Sequence, residues 1–573
     1  MKMKKIKYLL VVLVIAGLFS CNKLDRELET DLSQEQIAGS FVNVQNLLNG
    51  VYSESQSGFL EINNEAMMAS TTDEAEHTNE VNQVQQFNQG SWNALSNPAD
   101  VWGSYFRAIR RANFFLENAA SEKVNLDAFK SNPTTLQQKL GEVTRWRYEA
   151  RFLRAYFYFE LVKRYGGVPL ITKTLTEADI STTQRNSLEQ CIKFIADECD
   201  STAAVLSLTY PTGELGRATK GAALALKSRT LLYAASDLFN TPSWAIGYAK
   251  PELISLPAGD RNLRWKAAAD AAKAVIDLTG TGYALASNYK NLFTTFNSSE
   301  IIFTGRSAAT NTFEIANFPI GFDKGNSGTT PTQDLVDAYE VKVNATTAVP
   351  FDWNNPVHAA APYANRDPRL LASIVTNNSS FSTVSGVTRN VEIWQGGKDG
   401  KPIPNATKTG YYLRKYVNES VNVTNNNTAV HSWIYFRLAE IFLNYAEALN
   451  EYAPGNADVK IYVDRVRTRA GVAMPPLPGG LTQLQARTAI RNERRIELAF
   501  EDHRAWDVRR WMIAPTALGT AIRGVDVAQT TPGAFTYTPQ TVENRVFQTK
   551  MYLFPISQIE IGVAPGLVQN PLW

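Results

Sequence analysis

Residues 484–512 have the sequence LQARTAIRNERRIELAFEDHRAWDVRRWM, which contains neither glycine nor proline. Good helix formers continue through it for about eight turns, and the next helix breaker is Pro515. Ile496, Phe500 and His503 are four and three residues apart, so they would share one face of a helix. The stretch therefore predicts one long helix that ends before Pro515.

The charges of this stretch follow the same spacing. Opposite charges stand three residues apart at three places: Arg494 with Glu497, Glu501 with Arg504, and Asp507 with Arg510. Such pairs meet on the surface of a helix. So many charges could form an anion site, or they could belong to a partly buried helix whose charges pair with each other and with loops. We favour the second interpretation, with His503 as a structural member of the helix face.

The same stretch also resembles the C-terminal signature of a known family. The matching residues are Glu493-Arg494-Arg495, Glu497 to Glu501, His503-Arg504, Trp506-Asp507 and Arg510-Trp511, and they are similar to the SusD/RagB family. Further blocks that resemble the family occur in family order at 165–170, 216–222, 367–370, 437–448, 466–471, 554–556 and 569–571. Members are surface lipoproteins that bind nutrients, usually glycans, beside a TonB-dependent outer-membrane transporter. The resemblance thus implies a non-catalytic binding protein.

The N-terminus agrees with a lipoprotein. Residues 1–20 hold four lysines and no acid, and the apolar run 8–18 is too short to span a bilayer but suits a signal peptide. Leu18-Phe19-Ser20-Cys21 is similar to a bacterial lipobox, although Phe19 is bulkier than usual there. An ordinary signal peptide with an incidental cysteine is the alternative. We expect a signal peptide over 1–20, acylation of Cys21, which would anchor the protein in outer-membrane lipid, and a polar, acidic tether over 21–36.

Composition limits the class of the remaining chain. The protein has 573 residues, 44% hydrophobic and 20% charged, as is usual for a soluble globular protein. Its net charge of +2 becomes −2 without the four lysines of the signal peptide. No basic footprint for nucleic acid is present, so we expect no nucleic-acid partner.

Helical patterns dominate the chain except for one long stretch without them, at about 280–430. We predict helices at 37–52, 100–119, 135–165, 188–206, 219–239, 264–278, 433–451 and 458–470. Their pairing suggests a mostly α fold of tetratricopeptide-like helix pairs, as the family resemblance also implies. Cys191 and Cys199 lie eight residues apart in one helical pattern, about 12 Å along its axis, so they cannot form a disulfide.

The long stretch without helical patterns predicts a loop-rich ligand region within a single domain, 37–573. The helical scaffold would cover about 37–279 and 431–513, and the loop-rich region about 280–430 and 514–555. In the helix predicted over 433–451, an apolar stripe would be buried, while the side chains of Arg437, Glu440, Asn444 and Glu447 would form the opposite, polar stripe.

Enzyme signatures are mostly absent. The four histidines are far apart and never at metal-ligand spacing, so we expect no metal, no cofactor and no catalytic residue. The acidic loop at Asp73 is the nearest approach to a carboxylate site. It could be a solvated loop, or Asp73 could accept hydrogen bonds from sugar hydroxyls. A lipoprotein glycoside hydrolase remains one alternative, and a scaffold that binds the transporter without sugar is another.

A glycan binder needs aromatic faces for the C–H faces of sugars and polar groups for the hydroxyls. The ligand-binding candidates are Asp73, Trp92, Trp353, Trp394, Tyr412 and Arg414. Trp92 and Asp73 take priority because loops at this position often contact ligand in the family. Each aromatic could equally be a core residue under a loop. The resemblance implies an oligosaccharide as the ligand, a SusC-like TonB-dependent transporter as the partner, and a place on the outer surface of the outer membrane.

Overall fold

The structure, a computed structural model, describes residues 40–120, 122–382 and 388–573. The signal peptide, Cys21 and the tether over 21–36 lie outside the described residues. The long helices of the described chain are α1 Phe41–Tyr52, α2 Trp102–Asn118, α3 Pro133–Tyr165, α4 Leu188–Ala203, α5 Lys220–Ala235, α6 Arg261–Ile276, α7 Leu438–Tyr452, α8 Ala457–Arg467 and α9 Gln483–Glu497. None of the helices in these three ranges is long and apolar enough to cross a bilayer.

Short helices connect the long ones. The α-helical ones are Gln85–Asn88, Glu177–Ser181, Tyr289–Leu292, Thr312–Asn317, Gln333–Ala338, Pro356–Ala360, Arg369–Ser373, Arg504–Arg510, Ala514–Leu518 and Gln558–Val563. The 3₁₀ turns are Met68–Thr71, Asp127–Phe129, Thr212–Glu214, Asp237–Phe239, Pro242–Ala245, Pro251–Leu253 and Thr549–Tyr552.

Local sequence explains where the helices begin and end. The side chain of Asn132 caps α3 by accepting the Thr135 N–H, Pro133 occupies its first turn, and Gly166 follows its end with φ +75°. Thr482 and Gln485 form a capping box at the start of α9.

The helices form one mostly α stack, as predicted. Each of α2 to α8 packs against the next, and α6 packs closely on α7 although about 160 residues separate them. The chain between α6 and α7 therefore leaves the helix stack and returns to it. Cys191 and Cys199 are both buried free thiols on α4, which confirms that they form no disulfide.

The described residues also contain twelve strands in six two-stranded antiparallel sheets. The strands are β1 Ala75–His77, β2 Ile301–Arg306, β3 Thr329–Pro331, β4 Val341–Lys342, β5 Ala348–Val349, β6 Ile374–Val375, β7 Ser380–Ser382, β8 Thr388–Asn390, β9 Tyr412–Leu413, β10 Ser432–Arg437, β11 Ala521–Thr531 and β12 Ala534–Asn544. The pairs are β1–β3, β2–β10, β4–β5, β6–β9, β7–β8 and β11–β12.

The prediction of one continuous helix over 484–512 was wrong. α9 ends at Glu497, and a second helix runs over Arg504–Arg510. Phe500 and Asp502 between them have φ values of +63° and +58°. One tertiary and one local contact stabilise this break, because the Phe500 N–H donates to the Glu74 carboxylate and the Trp506 indole N–H donates to Asp502. Of the three predicted charge pairs only Asp507–Arg510 forms, at 2.7 Å.

Two other predictions of secondary structure were wrong. Residues 433–437, predicted as the start of a helix, belong to β10, whose aromatic and β-branched residues pair with β2; the helix α7 begins only at Leu438. Residues 514–555, predicted as loop-rich, contain the hairpin β11–β12, which turns at Pro532 and Gly533 (φ +83°). Residues 301–306, within the region predicted as loop-rich, form β2.

Candidate functional site

The charged residues of the family-like signature lie inside the protein. Three of them, Glu493, Glu497 and Glu501, belong to a largely buried group that we call the central ion cluster: Arg369, Lys415, Arg437, Arg467 and Arg469 with Glu300, Glu340, Asp367, Glu493, Glu497 and Glu501. The Arg437 guanidinium contacts three of these carboxylates, Glu300 at 2.7 Å, Glu497 at 2.6 Å and Glu501 at 2.7 Å. The polar stripe of α7, predicted opposite the buried one, is therefore buried too.

Electrostatics keep the carboxyl of Glu497 ionised. Burial opposes the charge of Glu497, but Arg469, Arg437 and Arg369 outweigh it and hold the pKa of Glu497 well below its usual value. The neighbouring carboxyl of Glu447 is also kept ionised. Burial raises its pKa, but Arg510 and Arg494 outweigh burial and lower the pKa to about 2. Removing one member of such a buried ion network destabilises the fold, because its partner is then a buried charge without an opposite charge. The cluster is structural and not an anion site.

Asp73 belongs to a similar ion pair and not to an open loop. Its carboxylate accepts hydrogen bonds from Arg495 at 2.7 Å and from Arg504 at 2.8 Å, and it is buried. Burial raises its pKa, but the two arginines outweigh burial and hold the pKa well below the usual range. The Asp73 carboxylate therefore holds its loop against α9 and against the helix Arg504–Arg510. This position corrects the prediction that Asp73 accepts hydrogen bonds from sugar hydroxyls.

Trp92 is also a core residue. Only 1% of it is exposed, and its ring lies 4.8 Å from the ring of Phe87, 4.9 Å from that of Phe554 and 4.8 Å from that of Trp573. No face of the indole is open to a sugar. The sequence prediction failed because the partners Phe554 and Trp573 come from the far end of the chain, which local pattern does not show.

Tyr412 in β9 and Arg414 directly after it are both buried. The Tyr412 hydroxyl donates to the carbonyl of Asp399 and accepts the Thr407 N–H at 3.2 Å. The Arg414 guanidinium donates to the Leu371 and Ser380 carbonyls. Neither side chain is free to contact a ligand at the surface, because each holds neighbouring loop backbone in place.

Trp394 and Trp353 are half-buried and lie along the hairpin β11–β12. Phe535 and Tyr537 alternate onto one face of β12, and the ring of Phe535 lies 5.1 Å from that of Trp394, while Tyr537 lies 5.3 Å from Tyr363. We call the five residues Trp353, Tyr363, Trp394, Phe535 and Tyr537 the aromatic shelf. All are half-buried, so each keeps part of its surface in solvent.

The shelf follows the hairpin from its turn to its base. Near the base, the Trp353 indole N–H donates to Asp337 at 3.2 Å, and Asp337 also accepts from Arg523 of β11 at 2.9 Å. From Phe535 to the Thr541 partner of Arg523 the strand extends about 20 Å. Gln529 is the cross-strand partner of Phe535 and is exposed. The shelf therefore combines rigid ring faces with an amide on the same side.

A separate cleft of about 750 Å³ lies between α1 and β2. Asn49, Tyr52, Ser57, Phe59, Arg217 and Arg306 are among its lining residues. A cavity of this size is in the range of small-molecule sites. It is mixed in character, since amides and hydroxyls share the wall with aromatic rings.

The sequence analysis did not predict Phe535 and Tyr537 of the aromatic shelf, nor the cleft between α1 and β2. Phe535 and Tyr537 could have been found, because they alternate with threonines directly after a Pro-Gly turn, which is a hairpin signal. The cleft gave no signal, since its wall comes from separate stretches near 45–59, 213–217, 303–307 and 435. Within the described ranges no three His, Cys, Asp or Glu side chains come together in a way that could hold a metal ion.

Family models and related proteins match this chain over nearly its whole length. Residues 299–573 match the model of the SusD family, and residues 24–232 match a model described as starch-binding associating with outer membrane. SusD-like protein P25 of Formosa agariphila is 23% identical over 98% of both chains, and SusD-like protein P2 of the same organism is 25% identical over 91% of this chain and 92% of its own.

Solved structures show the same fold. A SusD-like protein from Bacteroides fragilis superposes with a TM-score of 0.77 at 27% identity, over 94% of this chain and 98% of its own. A SusD-like carbohydrate-binding protein from the same species superposes with a TM-score of 0.74, also at 27% identity, over 93% of this chain and all of its own.

Proposed function

The chain belongs to the SusD family, and on that premise we propose that it captures an oligosaccharide at the cell surface without cleaving it. It would deliver the oligosaccharide to a SusC-like TonB-dependent transporter of the outer membrane. The carbohydrate-binding relative of known structure supports the ligand class. The transporter as partner is inferred from the family resemblance.

The observation that carries the proposal is the aromatic shelf. Sugar rings present apolar C–H faces that pack on aromatic rings, and their hydroxyls need nearby amides and carboxylates. Trp394 and Phe535 supply ring faces at one end of the shelf, and Gln529 supplies an amide beside them. A row about 20 Å long suits an extended chain of sugars better than one small molecule.

A tryptophan deletion tests the shelf. Screening the purified mature protein on a glycan array identifies the oligosaccharide, and calorimetry then compares its affinity for wild type and variants. We expect Trp394→Ala to weaken binding by about 1 to 3 kcal/mol, roughly 5- to 150-fold, because a stacking face is lost while single hydroxyl contacts only replace water.

Trp244→Ala is the matched control. Trp244 is also half-buried and packs on a tyrosine, Tyr552, at 5.6 Å, but it is not part of the shelf. Its loss should leave affinity unchanged. Normal affinity in Trp394→Ala, combined with lost affinity in Ser57→Trp, would instead place the ligand in the cleft between α1 and β2.

The two alternative functions give different results in the same experiment. A glycoside hydrolase would release shorter sugars from the oligosaccharide found on the array. A scaffold would co-purify with the transporter and bind no glycan. Non-catalytic capture requires binding with no released product.

The proposed anchor is tested separately. If Cys21 is acylated, Cys21→Ala should move the protein from the outer-membrane fraction to the soluble fraction, because a lipid chain then no longer holds it. Fractionation followed by immunoblotting measures the shift. A variant that stays with the outer membrane and contains no lipid would place the anchor elsewhere.

A further inference from the structure

A cavity of about 610 Å³ lies between α1 and α2. It is lined by one face of each helix, through Asn46, Leu47 and Gly50 of α1 and Arg107, Arg110 and Arg111 of α2. Residues three and four apart are neighbours on a helix surface, so each set belongs to one face of its helix. We call this space the α1–α2 cavity.

The three arginines of α2 repel one another. Arg107 is three residues from Arg110 and four from Arg111, and like charges at such spacings destabilise a helix. The single acid of α2, Glu117, is too far along the helix to pair with them. Its carboxylate instead accepts from the Thr174 N–H at 2.6 Å and from the Thr174 hydroxyl at 2.7 Å. Nothing on α2 itself therefore compensates for the three positive charges.

One acid from outside α2 compensates for part of this charge. Glu54, which follows α1, contacts Arg111 at 2.7 Å and Arg107 at 3.5 Å, yet both arginine side chains stay more than half exposed. Arg110 is exposed as well, and no carboxylate in the described part of the chain forms an ion pair with it. Three arginines against one glutamate leave two positive charges in excess beside the cavity.

Exposed lysines on other helices show the opposite pattern. Lys193 of α4 pairs with Asp197, and Lys266 of α6 pairs with Asp270, both at 2.7 Å and four residues along the same helix. A helix face that is merely solvated can pair its charges in this way. On α2, like charges are instead concentrated on the side of a cavity, which favours the binding of an anion.

The chemistry of the cavity also suits a sugar. Guanidinium groups bind carboxylates and tetrahedral oxyanions through two parallel N–H donors. Phe114, which is half-buried, and Leu47 offer apolar surface for the C–H face of a ring, and the Asn46 amide can bind hydroxyls. Gly50 has no side chain, and a Cβ there would meet no atom within 4 Å, so the α1 side is open. The volume is in the range of small-molecule sites.

We propose that the α1–α2 cavity is a second saccharide site, which binds a sugar that carries a sulfate ester or a carboxylate. That the ligand is a sugar rests on the proposed function, whereas its negative charge follows from the arginines. The acidic group lies against Arg110 and its neighbours, and the ring lies against Phe114. Through this site the protein selects acidic oligosaccharides over neutral ones.

Calorimetry on the mature protein at low ionic strength tests the proposal, since salt screens exposed charges. The probes are glucuronate and galacturonate, the sulfate esters of glucose and galactose at their primary hydroxyls, the two neutral sugars, and inorganic sulfate. We expect at least one charged sugar to bind, and to bind more tightly than its neutral counterpart and than inorganic sulfate. Whether uronates or sulfate esters bind identifies the acidic group.

A charge variant locates the binding. Arg110→Gln should reduce the affinity for the charged sugar about tenfold or more, because a charge-assisted hydrogen bond is lost. Arg110 has no ion pair in the described chain, so its loss leaves no acid unpaired in the fold. Arg465→Gln is the matched control, since Arg465 of α8 is also exposed and forms no ion pair with a described carboxylate. It should leave the affinity unchanged.

A steric variant tests the cavity without changing charge. Gly50→Phe should abolish binding by filling the cavity from the α1 side, and it should not impair folding, because glycine is a poor helix former. Gly141→Phe is its control, since Gly141 lies in α3 and a Cβ there also meets no atom within 4 Å. That variant should bind the charged sugar normally.

The outcomes separate this proposal from the aromatic shelf. Trp394→Ala should leave the affinity for the charged monosaccharides unchanged, so a failure of the shelf and a failure of the cavity are distinguishable. No binding of any charged sugar would overturn the proposal, as would binding that neither Arg110→Gln nor Gly50→Phe weakens. Equal affinity for inorganic sulfate, or binding to phosphatidylglycerol vesicles with none to the sugars, would also overturn it, because the site would then recognise a free anion or a lipid surface.

Discussion

Arg437→Ala is expected to lower the free energy of unfolding by about 3 to 5 kcal/mol. The guanidinium is 1% exposed and lies between the carboxylates of Glu300, Glu497 and Glu501. Removing it leaves several buried negative charges without their main partner, in a medium that solvates them poorly. Equilibrium urea unfolding of the mature protein, followed by circular dichroism, measures the change.

Arg487→Ala serves as the control. Its ion pair with Glu451, at 2.5 Å, is partly exposed to solvent, with 30% of the arginine side chain accessible. Exposed pairs contribute about 1 kcal/mol or less, because water screens them. Equal losses in the two variants would mean that the central ion cluster does not stabilise the helix stack as a buried network.

Trp92→Ala should cost about 3 to 5 kcal/mol of stability and leave glycan affinity unchanged in the protein that remains folded. The cavity would open among Phe87, Phe554 and Trp573, which join the loop before α2 to the C-terminal end. Thermal melting gives the stability, and calorimetry with the array-identified oligosaccharide gives the affinity.

Phe535→Ala is the informative comparison, since it removes a ring from the aromatic shelf. We expect it to reduce affinity and to lower stability less than Trp92→Ala does, because Phe535 is only half-buried. Trp92→Ala with a normal melting temperature and lost affinity would reverse this assignment and return Trp92 to the ligand site.

Most helices followed from sequence. The boundaries of α3 are set by Asn132, Pro133 and Gly166, which act on the backbone next to them and are visible in sequence. The absence of a bridge between Cys191 and Cys199 likewise needed only the rise of a helix. Apolar periodicity and end signals are local, so the sequence alone predicts the elements that depend on them.

The break after α9 and the positions of Asp73 and Trp92 were decided by tertiary structure. Residues 498–503 have helix-forming composition, yet Phe500 and Asp502 adopt positive φ angles while Glu497 and Glu501 both bind Arg437, which lies some 60 residues earlier. Asp73 has an acidic, loop-like surrounding, yet it pairs with arginines more than 400 residues away.

The sequence of this protein therefore determined most of the helical segments and the family signature that they carry. Which of its charged and aromatic residues face solvent was decided only when distant segments packed together. The reason is physical: whether a carboxylate or an indole is buried depends on the free energy of contacts with groups far away in sequence, and the local pattern contains no information about those groups.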